Sequence, residues 1–248
     1  MSSLIVIGTH VKNMLYWLTK DKFAMCSIST EKTLIQCDFD GTVTEEDVSF
    51  LILDTFARGN WRKLLEDYRK NKISVDYFNK QAFTMVRASR ETLTEFVRTR
   101  AKIRCGFKEL TDYCYKRGLC LVIVSNGLDF YIDVILSDAG IRNIEVFAAQ
   151  TKFCHEGIEV QYIGPDGNEA NKGLKELYAR LFLAKGYRLI YLGNGVSDIH
   201  PARLAHHVFA RDDLLSCCAR ENIACIPFTD FTDVVKGLKL LPQSRSNS

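Results

Sequence analysis

The sequence predicts an α/β protein, a three-layer open parallel sheet with an inserted helical cap, and three observations support this fold class. Short apolar runs alternate with amphipathic segments from residue 105 onward, as in β-α-β units. The run Leu121-Val122-Ile123-Val124 is apolar throughout, as in a parallel strand covered on both faces. Residues 45–103 contain amphipathic helical patterns that no strand-like run interrupts. Helices would therefore cover the sheet and one of its strand ends.

These changes of pattern also predict the domain organisation. Residues 31–44 and 105–241 would form the α/β core domain, and residues 45–104 the helical cap. Residues 1–30 are expected to be an N-terminal extension with a short amphipathic stretch, and the Ser/Gln/Arg-rich residues 242–248 a flexible tail.

Each element follows from its pattern, with Ser74 and Ser89 as plausible helix starts and Gly118 and Gly140 as helix ends. The first strand is the run that begins at Leu34. The predicted cap helices are Phe50–Phe56, Trp61–Tyr68, Val75–Val86 and Leu93–Val97. The predicted core helices are Phe107–Arg117, Phe130–Ala139, Gly173–Leu183, Ile199–Ala205 and Leu214–Glu221. The further core strands are Leu119–Val124, Glu145–Ala149, a hairpin over Thr151–Ile163, Leu189–Leu192, His207–Ala210 and Ala224–Pro227.

Composition argues against several classes of protein. The net charge is only +3, and no Lys/Arg block is interleaved with aromatic residues, so nothing indicates nucleic-acid binding. Nine cysteines without a Cys-x-x-Cys pair favour a reducing, cytoplasmic location over a disulfide framework or a zinc site. No apolar run approaches the length of a membrane span.

The stretch around Asp38 and Asp40 is the main candidate for chemistry. Strand side chains repeat every second residue, so the two carboxylates leave the strand on roughly the same side. Two like charges this close repel unless a cation or a shared proton separates them. Asp38 could be a nucleophile and Asp40 a general acid/base with Mg²⁺. A calcium loop and an ordinary surface loop are the alternatives, although Thr42 and Thr44 do not complete a calcium-loop pattern.

Polar groups follow other predicted strands and helices as well. Ser125-Asn126-Gly127 offers a hydroxyl and main-chain N–H groups to phosphate oxygens. Lys172 at a helix start is unfavourable for the helix dipole unless an anion lies between them, although a solvated lysine is the alternative. Asn194 and Asp198, in a glycine-rich turn, offer oxygen atoms to a hard cation.

This ordered set resembles the haloacid-dehalogenase-like phosphatases over residues 33–236, and Asp-x-Asp-Gly-Thr is its most specific motif. The resemblance implies a Rossmann-like core with the C1-type cap of the phosphoserine-phosphatase-like group. The segments 101–107, 125–130 and 209–215 look most like the methionine-salvage branch, the hydroxy-keto-methylthiopentenyl phosphate phosphatases.

The resemblance also implies roles for residues in and after the Asp-x-Asp-Gly-Thr motif and for Lys172. Asp38 would carry the aspartyl-phosphate, Asp40 would protonate the leaving oxygen and then activate water, and Lys172 would neutralise the phospho-aspartate. Thr42, the last residue of the first motif, is assigned to phosphate binding. Asp47 falls at a substrate-facing position.

The remaining motifs would bind the phosphoryl group and the metal. Ser125 and the Asn126 amide would hold the phosphoryl group, and Gly127 would permit its close approach. Asp38 and the Asp40 carbonyl would bind Mg²⁺, and Asn194 and Asp198 would complete the site directly or through water.

Two departures from the family pattern keep alternatives open. Asn194 stands where the family usually has an Asp, which predicts weaker Mg²⁺ affinity or a catalytically weak phospho-ligand-binding protein. The segment Phe83-Thr84-Met85 is apolar where phosphoserine phosphatases place a carboxylate-binding Arg, and Arg87 is a candidate substitute. The expected partner is a small phosphate ester, with phosphoserine phosphatase-like activity as the alternative and a homodimer as a possible assembly.

Overall fold

A seven-stranded sheet with the order β4-β3-β2-β1-β5-β6-β7 forms the centre of the molecule. The structure, a computed structural model, describes residues 32–170 and 173–242, so the expectations for residues 1–30, for Lys172 and for residues 243–248 lie outside it. The strands are β1 (Thr33–Cys37), β2 (Cys120–Leu128), β3 (Glu145–Cys154), β4 (Gly157–Gln161), β5 (Arg188–Gly193), β6 (His207–Ala210) and β7 (Ile226–Pro227). Neighbouring strands are parallel except β3 and β4.

Helices flank this sheet, which confirms the predicted α/β fold class. The helices are α1 (Val48–Phe56), α2 (Trp61–Arg69), α3 (Val75–Phe83), α4 (Arg90–Arg100), α5 (Phe107–Arg117), α6 (Asp129–Asp138), α7 (Leu174–Ala184), α8 (Ile199–Ala202), α9 (Asp212–Glu221) and α10 (Phe231–Leu240). In the part of the chain that the structure describes, no helix is both long and apolar enough to cross a membrane.

Strand β1 lies in the middle of the sheet and is almost completely buried. It pairs with β2 on one side and β5 on the other, with Cys37 opposite both Ile123 and Leu192. The apolar residues of β1 are fully buried, as expected for a strand covered on both faces. The carboxyl ends of β1, β2 and β5 therefore meet at one edge of the sheet, where ligands bind in open α/β folds.

Helices α1–α4 occupy the chain between β1 and α5, where the sequence predicts a cap. The hydroxyls of Ser74 and Ser89 accept hydrogen bonds from the N–H groups of Tyr77 and Thr92, which confirms both predicted helix starts. Aromatic rings pack these helices together: Phe50 lies 5.4 Å from Trp61 and 6.3 Å from Phe78 between ring centroids. The assignment of residues 45–104 to a separate cap domain stays a prediction.

The two connections between these helices and the sheet run side by side. Thr44 and Ile103 form an antiparallel bridge. The Arg104 guanidinium donates to the carbonyls of Gly41, Thr42, Thr44 and Glu45 at 2.9–3.2 Å. One side chain thus fixes the loop that follows Asp38 and Asp40.

Two strands run further than the sequence patterns indicate. Strand β2 continues through Ser125-Asn126-Gly127 to Leu128, with an irregularity in its pairing to β3 between Val124 and Leu128. Strand β3 continues to Cys154 and joins β4 through a turn at residues 155–156, and Gly157, the first residue of β4, has a φ of 132° that favours glycine. Helix α3 ends at Phe83 rather than Val86.

Candidate active site

Asp38 and Asp40 follow β1 and line a cavity of about 260 Å³ between the strand ends and helices α1–α3. Of the residues predicted for the site, the cavity is lined by Asp38, Asp40, Asp47, Ser125, Asn126, Gly127 and Asn194. The predicted strand-end motifs therefore do come together at one edge of the sheet. Thr42 and Asp198 do not line the cavity.

The lysine that contacts Asp38 is Lys175, three residues beyond the predicted Lys172. Its ammonium nitrogen lies 2.8 Å from Asp38 Oδ1 and 2.6 Å from Asp198 Oδ1. Burial opposes the charge of Lys175, but the two carboxylates outweigh it and raise its pKa above the ordinary value. Lys175 therefore stays protonated beside the candidate nucleophile. Lys172 lies outside the described residues, so its predicted role stays a prediction, and Lys175 is a second candidate for that role.

The carboxylate of Asp198 is fully buried, and both of its oxygens accept hydrogen bonds. Its Oδ1 accepts hydrogen bonds from Lys175 and from the Tyr191 hydroxyl at 2.5 Å. Its Oδ2 accepts from the N–H groups of Asn194 and Gly195 at 2.9 and 2.8 Å. Asp198 thus holds Lys175 and the Asn194–Gly195 turn, and it does not line the cavity. Its predicted part in a metal site, directly or through water, stays a prediction.

Both oxygens of Asp40 also have fixed partners. Its Oδ1 accepts from the main-chain N–H of Val48, the first residue of α1, at 3.0 Å. Its Oδ2 accepts from the Tyr131 hydroxyl at 2.5 Å. Burial, and next the nearby Asp47 charge, raise the pKa of Asp40 well above its ordinary value, while the Tyr131 hydrogen bond opposes this shift. A raised pKa suits a carboxyl group that must both donate and accept a proton.

Burial also raises the pKa values of Asp38 and Asp47, which line the same cavity. The pKa of Asp38 rises to about 7, because burial and the Asp198 charge outweigh Lys175 and the Phe39 N–H. Burial raises the pKa of Asp47 to about 6. Asp47 also caps α1, where its Oδ1 accepts from Phe50 N at 2.9 Å, so its predicted substrate contact would compete with this capping role.

The Ser125-Asn126-Gly127 turn is held from several sides. The Ser125 hydroxyl accepts from the Gly127 N–H at 3.0 Å. The Asn126 carbonyl accepts from Asn79 Nδ2 at 2.9 Å and from the Tyr162 hydroxyl at 2.7 Å. Asn79 belongs to α3, so a helix of the predicted cap directly supports the candidate phosphate-binding turn.

Thr42 does not reach the cavity. It is fully buried, and its hydroxyl donates to Asn194 Oδ1 at 2.9 Å. The predicted contact between Thr42 and phosphate is therefore corrected: Thr42 orients the Asn194 amide, and Asn194 is the residue that faces the cavity. Arg87 is likewise not among the cavity residues, because its guanidinium donates to the carbonyls of Thr84 and Val86.

Sequence reasoning missed several residues that the structure brings to the site, although a signal exists for some of them. Lys175 precedes Tyr178, Ala179 and Phe182 by three, four and seven residues, so it lies on the buried stripe of α7. A lysine on an apolar stripe indicates a buried charge with a partner. Tyr131 and Tyr191 look like ordinary core aromatics in sequence, and only the structure shows their hydroxyls on Asp40 and Asp198.

The oxygen donors at the cavity fit a hard divalent cation. Within residues 32–170 and 173–242, no cluster of three His, Cys, Asp or Glu side chains could hold a metal ion. Of the residues predicted as metal ligands, the Asp38 carboxylate, the Asp40 main-chain carbonyl and the Asn194 amide oxygen could hold such a cation together with water. Oxygen ligands with several waters are what Mg²⁺ prefers, and the set lacks the nitrogen and sulfur ligands typical of zinc.

The cavity continues between helices α1, α2 and α3, where most of its lining is apolar or aromatic. Phe50, Leu65, Tyr68, Val75 and Phe78 line this part, and Arg69 of α2 adds a positive charge. Tyr68 stacks on Phe78 with ring centroids 5.9 Å apart. A leaving group bound here would meet apolar surface with one guanidinium beside it.

Comparison with known proteins agrees with this geometry. The family model for haloacid dehalogenase-like hydrolases matches residues 35–203. A 2-hydroxy-3-keto-5-methylthiopentenyl-1-phosphate phosphatase of Geobacillus kaustophilus (strain HTA426) is 30% identical over 215 residues, covering 85% of this chain and 97% of the relative. The protein of the same name from Bacillus velezensis (strain DSM 23117 / BGSC 10A6 / LMG 26770 / FZB42) is 32% identical over 214 residues, covering 85% and 91%.

Solved structures agree on the fold. A substrate-bound phosphoserine phosphatase complex superposes with a TM-score of 0.63 and 18% identity, over 84% of this chain and 99% of that chain. A phospho-aspartyl intermediate analogue of phosphoserine phosphatase gives a TM-score of 0.62 with 18% identity, over the same shares of the two chains. At this identity the likeness concerns the fold. The resemblance stated from the sequence motifs is confirmed.

Proposed function

The chain belongs to the haloacid dehalogenase-like hydrolase family, and from this premise we propose that it is a phosphatase that hydrolyses a small-molecule phosphate monoester through an aspartyl-phosphate on Asp38. The observation that carries the proposal is the pairing of Asp38 with the buried ammonium of Lys175, in a cavity that Asp40 and Ser125 also line. A nucleophilic carboxylate, a fixed cation and a separate acid/base group are what phosphoryl transfer to a protein side chain requires.

The chain's own residues account for both half-reactions. In the first, an Asp38 oxygen bonds to phosphorus while the bond from phosphorus to the ester oxygen breaks, and Asp40 gives its proton to that oxygen. In the second, Asp40 takes a proton from water as the water oxygen attacks phosphorus and Asp38 leaves. Lys175 balances charge on Asp38, and the Ser125 hydroxyl and the Asn126 N–H are proposed to bind the phosphoryl oxygens.

The proposed cofactor is Mg²⁺, held by the Asp38 carboxylate, the Asp40 carbonyl and the Asn194 amide oxygen. When bound, the ion neutralises negative charge on the phosphoryl oxygens. Because Asn194 is neutral where a carboxylate would add charge, we expect weaker Mg²⁺ binding than the same site with Asp. The protein is proposed to act in the cytoplasm, in line with a sequence of nine cysteines that has no Cys-x-x-Cys pair.

The finer proposal is a methionine-salvage-type substrate, a phosphate ester with an uncharged, thioether-bearing leaving group. Two observations support it. The relatives described above carry the name 2-hydroxy-3-keto-5-methylthiopentenyl-1-phosphate phosphatase. The cap lining formed by Phe50, Leu65, Val75 and Phe78 would bury such a group and favour contacts between sulfur and aromatic rings.

Phosphoserine is the second candidate substrate, and one observation favours it. Arg69 lines the cavity, and a guanidinium can bind a carboxylate through two hydrogen bonds. If phosphoserine is the substrate, Arg69→Gln would raise its KM at least about tenfold, because it removes a charge-assisted hydrogen bond. The same change would leave the KM for an uncharged leaving group within about threefold.

The test is phosphate release from a panel of esters, with Mg²⁺ and with EDTA. The panel contains the methylthiopentenyl phosphate, phosphoserine, sugar phosphates, pyridoxal phosphate and p-nitrophenyl phosphate. We expect Mg²⁺-dependent release that Asp38→Asn abolishes, with Asp112→Asn on the exposed side of α5 as the matched control. Normal turnover by Asp38→Asn would overturn the mechanism. Ester binding without release at any Mg²⁺ concentration would favour a phospho-ligand-binding protein.

A further inference from the structure

We infer that Tyr131 is a positioning residue that orients Asp40 for proton transfer to the leaving group. The inference rests on the proposed function, because it assumes that Asp40 is the general acid. It concerns a residue of α6 that no sequence motif singles out. Tyr131 does not line the cavity and acts through Asp40.

The hydrogen bonds around Tyr131 run in one direction. Its hydroxyl donates to Asp40 Oδ2 at 2.5 Å, and it lies 2.8 Å from the Ser49 hydroxyl. A phenol has a single proton, so Ser49 is the donor in the second hydrogen bond. Ser49 therefore donates a hydrogen bond to Tyr131, and Tyr131 donates one to the carboxyl group of Asp40.

Asp40 is held on its other side as well. Val48 N–H donates to Oδ1 at 3.0 Å. Two donors, one on each oxygen, fix the plane of the carboxyl group. Val48 and Ser49 are the first two residues of α1, so the start of one cap helix reaches Asp40 both directly and through Tyr131.

The packing preserves the Asp40–Tyr131 hydrogen bond. Tyr131 is fully buried, and a buried hydroxyl without a partner would be costly. A Cβ atom added to Gly127 would collide with both Asp40 Oδ2 and the Tyr131 hydroxyl. Gly127 therefore leaves the space in which the hydrogen bond forms, a role beyond the predicted close approach of phosphate.

This arrangement predicts an effect that depends on the leaving group. An alkyl ester has a poor leaving group and needs a proton from Asp40 as its bond to phosphorus breaks, whereas p-nitrophenolate leaves without one. Loss of the Tyr131 hydroxyl should misorient Asp40 and slow only the first kind of ester. The parameter to compare is kcat/KM, which covers steps up to the first irreversible one and excludes the common hydrolysis of the aspartyl-phosphate.

The experiment compares Tyr131→Phe with wild type on p-nitrophenyl phosphate and on the best alkyl ester of the panel. We expect kcat/KM to fall about 30-fold for the alkyl ester and less than about threefold for p-nitrophenyl phosphate. The first loss is smaller than the roughly 10²–10⁴-fold contribution of a general acid, because Asp40 itself is still present. Tyr178→Phe is the matched control, since Tyr178 is a buried tyrosine whose hydroxyl bonds to the Ile163 carbonyl at 3.4 Å. It should change neither value by more than about twofold.

Two further variants separate positioning from structural damage. In an Asp40→Asn background, Tyr131→Phe should cause no additional loss on the alkyl ester, because the group it orients is already gone. Gly127→Ala would place a methyl group against both the hydrogen bond and the predicted phosphate-binding turn, so it should lower kcat/KM on both esters, with the larger loss on the alkyl ester.

Equal losses on both esters in Tyr131→Phe, or a full further loss in the Asp40→Asn background, would overturn the inference while leaving the phosphatase proposal intact. A wild-type protein that releases no phosphate from any ester would instead overturn the proposed function. The two failures are therefore distinguishable.

Discussion

The ammonium nitrogen of Lys175 lies 2.8 Å from Asp38 Oδ1, and both side chains are almost completely buried. The same nitrogen is 2.6 Å from Asp198, so one cation is shared by two carboxylates. The main-chain carbonyl of Lys175 accepts from Gln36 Nε2 at 2.8 Å, which fixes the first turn of α7 to β1. The nucleophile and its cation are thus joined through both side-chain and main-chain contacts.

We expect Lys175→Met to abolish turnover and to lower the free energy of unfolding by about 3–5 kcal/mol, since it leaves two buried carboxylates without their cation. The measurements are phosphate release and chemical denaturation. Lys172→Met is the comparison, and it should keep activity within about twofold if Lys175 has the predicted role. Loss of activity in Lys172→Met with an active Lys175→Met would restore the original assignment.

The stability of the metal-free protein should fall as the pH rises from about 4 to about 7. The folded pKa of Asp38 is raised to about 7, so across this window the folded state holds a proton that the unfolded state has already released. Asp47, with its pKa raised to about 6, acts in the same direction. Thermal unfolding in EDTA across this range measures the slope, and Asp38→Asn should make it shallower. A stability that rises through this window equally in both proteins would contradict the assignment.

Mg²⁺ should stabilise the protein more at about pH 8 than at about pH 5.5, because protons compete with the ion for Asp38. The measurement is the shift in Tm on adding MgCl₂ at each pH, and it needs no substrate. Asp38→Asn should show little shift at either pH. A shift that is unchanged by Asp38→Asn would place the ion elsewhere.

Asn194→Asp should tighten Mg²⁺ binding by about tenfold, since it replaces a neutral oxygen donor with a charged one at the cavity. Thr42 can donate to either side chain at this position, so the local geometry should persist. Titration calorimetry with MgCl₂ on the substrate-free protein measures the change. Unchanged affinity would show that residue 194 is not a metal ligand.

Asn79→Ala should weaken phosphate binding, because Asn79 of α3 bonds to the carbonyl of Asn126 and to Tyr162. We expect the inhibition constant of inorganic phosphate to rise about five- to tenfold, consistent with one or two lost hydrogen bonds. Asn60→Ala is the control. It removes the side chain that accepts a hydrogen bond at the N-terminus of α2, so it should lower stability without changing the inhibition constant. Equal inhibition constants for both variants would argue against support of the turn by α3.

The fold and the positions of the strand-end motifs could be predicted because they depend on local patterns. A buried apolar strand that ends in Asp38 and Asp40 has few other interpretations, and parallel strands bring their carboxyl ends together. Helix starts at Ser74 and Ser89 follow from capping chemistry.

The sequence could not predict which polar residues of the motifs line the cavity, because this depends on which neighbour each side chain contacts in the folded protein. Thr42 and Asp198 are polar residues in the right motifs, yet the Thr42 hydroxyl donates to Asn194 and both Asp198 oxygens accept from protein groups. The helix dipole predicts a role for Lys172, because its effect depends only on position near a helix start along the sequence. The buried stripe of α7 favours Lys175.

The most direct test of the central claim is the site of phosphoryl transfer. Asp40→Asn removes the proposed base of the second half-reaction, so a phosphoryl group delivered by p-nitrophenyl phosphate should accumulate on the protein. After rapid acid quench, peptide mass spectrometry should find it on Asp38, and the Asp38→Asn, Asp40→Asn double variant should carry none. Phosphate release by wild type with no phosphorylated protein in Asp40→Asn, or a phosphoryl group on a different residue, would contradict the account.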